Sequence, residues 1–209
     1  MSTTPTVFVV DDDPAILRAL SRLLKEAGYG VQTYSTAQAL LEQHDPTIPG
    51  CLVLDVALPE LNGLQLQQRL NDAGHERFVV FITGHGDVPS SVQAMKAGAV
   101  DYLTKPFDDT ALLAAVAVAV EKDRHARERR QQFQSIQSRI ASLTHREHEV
   151  LQGVIAGRLN KQIAADLGIA EKTIKVHRHR VMEKMRAASL AELVVMTQQA
   201  DRRRLPRAS

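Results

Sequence analysis

Through the first 120 residues, short apolar runs alternate with stretches in which apolar residues recur every three or four positions. The runs "TVFVV" (6–10), "VQTYS" (31–35), "CLVLD" (51–55), "FVVFIT" (78–83) and "DYLT" (101–104) predict strands. Helices are predicted over 14–27, 36–43, about 63–73, 88–97 and 108–122, and Leu17, Leu20, Leu23 and Leu24 give the first its apolar stripe. Strands that are apolar on both faces and separated by helices imply a parallel sheet covered on both sides. The repeats fit an α/β fold built on a flavodoxin-like, doubly wound, five-stranded parallel sheet. Sheets of this kind bind ligands at the carboxyl ends of their strands.

The period changes after residue 120. Residues 121–142 are charged and glutamine-rich, with no Gly or Pro, which favours helix. Within them and just beyond, Phe133, Ile136, Ile140 and Leu143 form a narrow apolar stripe, suited either to a dimer seam or to a face packed on the next domain. From Thr144 the pattern is helical throughout. "THRE" (144–147) and "SLAE" (189–192) are capping boxes that set helix starts near 145 and 190. Val150, Leu151, Val154 and Ile155 give the first of these helices its buried face, and Gly157 ends it. "NKQIAADLGI" (160–169) predicts a short helix closed by Gly168, and "EKTIKVHRHRVMEKM" (171–185) a third. Two short helices joined by a glycine turn, the second heavily basic, form a small all-α helix-turn-helix domain. The expected division is a domain over 1–122, a helical linker over 123–142, the helix-turn-helix domain over 143–200 and a basic, frayed tail over 201–209.

Charge sharpens this division. Residues 1–120 carry 7 Lys+Arg against 14 Asp+Glu, a net of −7, whereas residues 121–209 carry 19 against 10, a net of +9. An acidic module is thus joined to one suited to a polyanion. At 44% hydrophobic and 24% charged the chain is globular in composition. No apolar run reaches the roughly 20 residues of a membrane span, and the N-terminus lacks a signal pattern, so no membrane association and a cytoplasmic location are expected. Cys51 stands alone, which excludes an intramolecular disulfide, and its aliphatic neighbours mark it as a small buried hydrophobe.

The strand-end rule selects the candidate chemistry. The first predicted strand ends in Asp11 and Asp12, the third in Asp55, the fourth in Thr83 and the fifth in Lys105. A lone Asp after a strand is usually a turn or helix cap, but turn chemistry does not explain this whole set. Clustered carboxylates are tolerated where a divalent cation neutralises them, and Mg²⁺ suits such an all-oxygen site completed by a backbone carbonyl. Facing it, Lys105 would serve a phosphoryl group as a point charge and Thr83 as a hydrogen-bond donor. The inferred chemistry is phosphoryl transfer onto an aspartate. An aspartate-nucleophile phosphatase would need a second acid two residues on, and Asp55-Val56-Ala57 lacks it, so the chain is expected not to be an enzyme. A further alternative is a constitutive DNA binder whose first domain is a structural or protein-interaction module.

With these motifs assembled, "VVDDD", "LVLDVALPELNG", "ITGHGDVPSSVQAMKAGAVDYLTKPF" and the basic C-terminal domain resemble a two-component response regulator of the FixJ/NarL type, a receiver domain followed by a LuxR-type helix-turn-helix domain. The resemblance spans nearly the whole chain. It implies that Asp55 is the phosphoacceptor, that Asp12 binds Mg²⁺ directly and Asp11 mainly through water, and that the Ala57 carbonyl completes the site. It implies phosphoryl contacts from Thr83 and Lys105, a cis peptide at Lys105-Pro106, and an aromatic switch at Tyr102. Asp13 then needs no role beyond capping the helix that starts at Pro14, and His85 is a loop residue near the pocket. Phosphorylation by a sensor histidine kinase would drive homodimerisation through 88–97, 101–104 and 108–120. Promoter double-stranded DNA and RNA polymerase are the implied downstream partners.

In residues 171–185 the apolar Ile174, Val181 and Met185 lie on one side, and Lys175, Arg178, His179 and Met182 are expected to form an outward ridge fitting the major groove. The resemblance implies that Lys175, Val176 and His179 read bases while Lys172, Thr173 and Arg180 lie near the DNA backbone. Ala170 departs from the usual Ser/Thr cap, which costs about 1 kcal/mol of helix stability.

Overall fold

A computed structural model describes residues 4–75, 77–84, 92 and 94–201. Five strands, β1 (Thr6–Val10), β2 (Gly30–Tyr34), β3 (Gly50–Asp55), β4 (Val79–Thr83) and β5 (Asp101–Thr104), form one parallel sheet in the order β2-β1-β3-β4-β5. The helices α1 (Pro14–Glu26), α2 (Ala37–Gln43) and α3 (Gly63–Asp72) connect the first four strands. The winding reverses between β1 and β3, so the crevice beyond their ends is where such a sheet opens to a ligand. The expected fold is therefore present, with β2 and β3 each starting one residue early, at a glycine.

The period-two alternation of the strands builds two cores. Phe8, Val10, Leu52, Leu54 and Phe81 face one side, where they pack with Leu40, Leu66 and Leu70. Val7, Val9, Cys51, Val53, Val80 and Ile82 face the other, against Leu20, Leu24, Leu112 and Val116. Every residue of β3 and β4 is buried, as a strand covered on both faces requires. Burial pushes the Cys51 thiol up to about 12, with the Asp123 carboxylate adding to the rise, so Cys51 fills space as expected. Gly50 has φ +145, and a Cβ there would fall 1.7 Å from the Thr6 carbonyl oxygen; only glycine allows β3 to begin so close to β1.

The helices expected over 108–122 and 121–142 are one continuous element, α4 (Asp109–Ala141), because nothing between them breaks the backbone ladder. The chain divides into compact units of residues 1–127 and 128–209, a boundary that falls within α4. In the first unit, Asp123 accepts from Gly50 N at 2.8 Å and from Arg127 Nε at 2.7 Å. Arg127 also donates to the carbonyls of Pro46, Thr47 and Ile48. In the second unit, Ile136 is buried in the core, with Ile140 and Leu143 against it. Those three residues of the expected stripe pack on their own unit.

Among the described residues the second unit holds four more helices: α5 (His145–Ile155), α6 (Asn160–Leu167), α7 (Glu171–Met185) and α8 (Leu190–Asp201). Val150, Leu151, Val154, Ile163, Ile174, Val181, Met185 and Leu193 form its core. The box at Thr144 and Glu147 closes in both directions, at 3.3 and 2.8 Å. At Ser189 the hydroxyl accepts from Glu192 N, but the Glu192 carboxylate reaches Ala188 N instead of Ser189 N. Gly168, at φ +65, ends α6 in the left-handed conformation that a tight turn into α7 needs. Among the described residues no helix is long and apolar enough to cross a membrane.

Candidate functional site

At the carboxyl edge of the sheet, Asp11, Asp12 and Asp55 each bring an oxygen within 4.8 Å of the others. Backbone pairing sets this geometry. Asp11 N donates to Tyr34 O at 3.2 Å, Val56 N to Ile82 O at 3.0 Å, and Lys105 N to Thr83 O at 2.7 Å, so the chain just past each strand stays in register. Asp11, Asp55 and Thr83 are buried, whereas Asp12 is exposed. Asp13 accepts from Ala15 N at 2.7 Å and caps α1, with Pro14 in the first turn, so the three consecutive acids do divide into unequal positions.

Lys105 crosses the crevice. Its Nζ donates to Asp11 Oδ2 at 2.6 Å and lies 3.4 Å from Asp55 Oδ1. Burial alone would lower the Lys105 pKa, but the hydrogen bond to Asp11 and the charges of Asp55 and Asp11 hold it raised. Asp55 is pushed above the ordinary carboxylate range by burial, against the pull of Lys105, with Asp11 and Asp12 adding repulsion. Its Oδ1 is shut off from solvent and, among the described residues, has the 3.4 Å ion pair with Lys105 in place of a well-formed hydrogen bond. A buried carboxylate oxygen without a well-formed hydrogen bond, flanked by two further carboxylates, is a donor set that fits a hard divalent cation such as Mg²⁺. Taking that oxygen out of water costs energy that one lysine only partly offsets.

The remaining pocket residues follow the sheet. Thr83 ends β4, and Tyr102 pairs with Phe81 on β5, their ring centroids 6.4 Å apart. Tyr102 is partly buried against the core, and its hydroxyl is shut off from solvent with no hydrogen-bond partner among the described residues. Ala57 is exposed in the loop after β3. Lys105-Pro106 is cis, as the resemblance implies. His85 and five of the ten residues of the helix expected over 88–97, residues 88–91 and 93, lie outside the described residues. Sequence reasoning missed Gly63: a Cβ there would fall 2.4 Å from Asp55 O, so the start of α3 approaches the end of β3 as closely as glycine permits. The "LNG" that closes the quoted motif gives no physical reason for glycine at 63; the structure adds that Asn62 caps α3.

The second candidate surface is α7. Ile174, Val181 and Met185 are fully buried, and this anchoring turns the opposite face outward. Lys172, Thr173, Lys175, Val176, His179 and Arg180 are all exposed. The expected ridge is not continuous, however. Arg178 is half-buried and donates to Asn160 Oδ1 at 3.1 Å, and Met182 packs against the core. Both lie closer to the buried stripe than their spacing from Lys175 suggested. Lys175 and His179 form only loose exposed pairs, each 3.6 Å from Glu171 and Glu183 respectively, contacts too weak to hold them from another partner. Ala170 caps α7 without a side-chain hydrogen bond.

Residues 7–117 match the family described as "Response regulator receiver domain", and residues 141–197 match "Bacterial regulatory proteins, luxR family". The chain is 46% identical over 197 residues to nodulation protein W of Bradyrhizobium diazoefficiens, covering 94% of this chain and 87% of that protein. It is 44% identical over 190 residues to the transcriptional regulatory protein FixJ of Azorhizobium caulinodans, covering 91% and 90%. Among solved structures, that of the response regulator StyR superposes with a TM-score of 0.87 at 45% identity, covering 94% of this chain and 100% of that one. Full-length FixJ from B. japonicum gives 0.58 at 42% identity, covering 96% and 99%.

Proposed function

This chain belongs to the two-component response regulators that join a receiver domain to a LuxR-type helix-turn-helix domain, and from that premise we propose that Asp55 is its phosphoacceptor and α7 its DNA-reading helix. Proteins of this family are regulators and not enzymes: the receiver is phosphorylated and the helix-turn-helix domain binds DNA. The reading rests above all on the meeting of Asp11, Asp12 and Asp55 with Lys105 at one sheet edge.

The reaction asks little covalent work of the protein. A carboxylate oxygen of Asp55 attacks the phosphorus of a phosphohistidine on a sensor histidine kinase. The P–N bond breaks, its electron pair returns to the imidazole, and an acyl phosphate forms on Asp55. Asp11, Asp12, Asp55 and the Ala57 carbonyl would hold Mg²⁺, with Asp12 bound directly and Asp11 mainly through water. Bound there, the ion would neutralise charge on the transferring phosphoryl oxygens. Lys105 leaves its pair with Asp55 to meet a phosphoryl oxygen, and the Thr83 hydroxyl donates to another.

Thr83 then moves toward the phosphoryl group, Tyr102 turns inward behind it, and the surface built from 88–97, 101–104 and 108–120 pairs with a second copy. Dimerisation brings two helices α7 onto paired promoter half-sites, where it recruits RNA polymerase. Lys175, Val176 and His179 meet base edges, and Lys172, Thr173 and Arg180 meet the phosphate backbone. The cytoplasm is the compartment in which these partners meet.

Labelling with an acyl-phosphate donor in the presence of Mg²⁺ tests the assignment. The wild-type chain should take up one phosphoryl group per chain, and Asp55→Asn none. Normal labelling of Asp55→Asn would place the phosphoacceptor elsewhere.

A further inference from the structure

An exposed reading helix can discriminate bases only if its own position is fixed, so the contacts that hold α7 bear on function as much as its outward face does. Its two ends are held very differently. The N-terminal end, which carries Lys172, Thr173, Lys175 and Val176, starts at Ala170 with no side-chain cap. At the C-terminal end, Arg139 Nη1, on the last turn of α4, donates to the Met185 carbonyl at 3.0 Å. That carbonyl is one of the four that a helix end leaves without an internal partner. One residue earlier, Lys184 Nζ donates to Glu147 Oε2 at 2.6 Å and to the Ser142 carbonyl at 3.2 Å. Glu147 is itself buried and committed to the Thr144 cap, so it offers Lys184 a fixed partner.

Two further observations mark this end as over-determined. Arg186, immediately after α7, has φ +53, a left-handed conformation that a non-glycine residue keeps only where its surroundings enforce it. The stretch that supplies the tethers is also part of the core, through Ile136, Ile140 and Leu143. Arg139 and Ile136 precede the stretch matched to the luxR family, which begins at residue 141.

We infer that the end of α4 is the seat of the reading helix, with Arg139 and the Lys184–Glu147 pair as positioning residues that fix α7 against DNA without touching it. The inference rests on the reading of α7 given above. It assigns a share of sequence discrimination to side chains that face away from DNA. Loosening the seat would let α7 tilt about its packed stripe, which blurs base contacts but leaves the basic face able to meet phosphates.

The test uses the full-length chain with two duplexes: one selected from random-sequence DNA by the wild-type protein, and a scrambled version of it. Arg139→Ala should weaken binding to the selected duplex about tenfold, the range of a lost base contact. Binding to the scrambled duplex, carried by phosphate contacts, should change by less than about twofold. Arg139→Lys, which keeps one donor to the Met185 carbonyl, should recover most of the loss. If Arg139→Ala melts below the assay temperature, Lys184→Met, which removes the second tether, supplies the same comparison. Equal losses on both duplexes, or unchanged binding to the selected one, would overturn the inference. Lys175→Ala separates it from the reading on which it rests. If Lys175→Ala weakens selected binding and the seat variants do not, the seat alone is wrong. If Lys175→Ala also changes nothing, α7 is not the reading helix and the seat falls with it.

Discussion

At the receiver pocket, side chains as far apart in sequence as Asp11 and Lys105, 94 positions, meet because a parallel sheet carries their strand ends to one edge. On α7, six candidate contacts fall within residues 172–180 and share a face because a helix turns every 3.6 residues. Most of the pocket is buried, and its charges depend on each other: Lys105 pairs with both Asp11 and Asp55, and removing Lys105 leaves two desolvated carboxylates without that partner. The face of α7 is exposed, and each of its charges can be removed without stranding another. One region therefore ties function to internal electrostatics, while the other separates contact with DNA from the packing that holds the helix.

This contrast is most exposed to failure at Asp12, the one exposed acid of the cluster. Asp12→Ala should reduce Mg²⁺-dependent phosphorylation by at least about 100-fold, since a metal's charge stabilisation is worth several kcal/mol. Asp13→Ala, which removes only the cap of α1, should cost about 1 kcal/mol of stability and little labelling. Rates of acyl-phosphate labelling at saturating Mg²⁺ measure the difference, and equal losses would erase the division of roles. On α7, the double variant Lys172→Ala/Arg180→Ala should weaken DNA binding roughly tenfold at low salt and lower the salt slope by about one per lost phosphate contact. Its phosphorylation should be unchanged; a slope that did not move would take both residues off the phosphate backbone.

Smaller effects probe what holds the helix. The hydrogen bond from Lys184, then that from Thr144 N, holds Glu147 well below the usual carboxylate range, at about 2, in spite of burial. A carboxylate depressed on folding contributes stability that is present above its ordinary pKa of about 4.5 and lost as pH falls through the folded value. The second unit should therefore lose stability between about pH 4.5 and 2, as read by melting at a series of pH values. Glu147→Gln should cost about 1.5–3 kcal/mol at neutral pH, as befits a charged hydrogen bond, and should flatten that acid dependence. Ala170→Ser is expected to raise stability by up to about 1 kcal/mol by supplying the missing cap, with a correspondingly small rise in melting temperature.

The pocket was legible in the sequence because its rule is topological. Once alternating strands and helices imply a parallel sheet, Asp11, Asp12, Asp55, Thr83 and Lys105 fall at strand ends whatever the details of packing. The identity of the pairs was not legible: no spacing says that Lys105 binds Asp11 more closely than Asp55, because side-chain reach across a crevice decides that. Gly63 was hidden for the same reason, since the need for glycine comes from the Asp55 carbonyl beside it. On α7 the buried stripe of Ile174, Val181 and Met185 could be read from its period, but Arg178 could not be placed until Asn160 was seen to hold it. The long-range tethers of Arg139 and Lys184 join residues 46 and 37 positions away, where a local pattern carries no information. The merging of two expected helices into α4 shows the limit from the other side: absence of a breaker is weak evidence for continuity until the backbone is traced.

The central claim is that charge placed on Asp55 controls DNA reading by α7. Its most direct test is the affinity of the full-length chain for the selected duplex, by fluorescence anisotropy at fixed salt and Mg²⁺, with and without an acyl-phosphate donor, in wild type and Asp55→Asn. The donor should tighten wild-type binding by at least about fivefold, the lower end of ordinary coupling between sites, and leave Asp55→Asn unchanged. Equal wild-type affinity with and without the donor, under conditions in which Asp55 is labelled, would contradict the account and leave a DNA binder indifferent to its receiver.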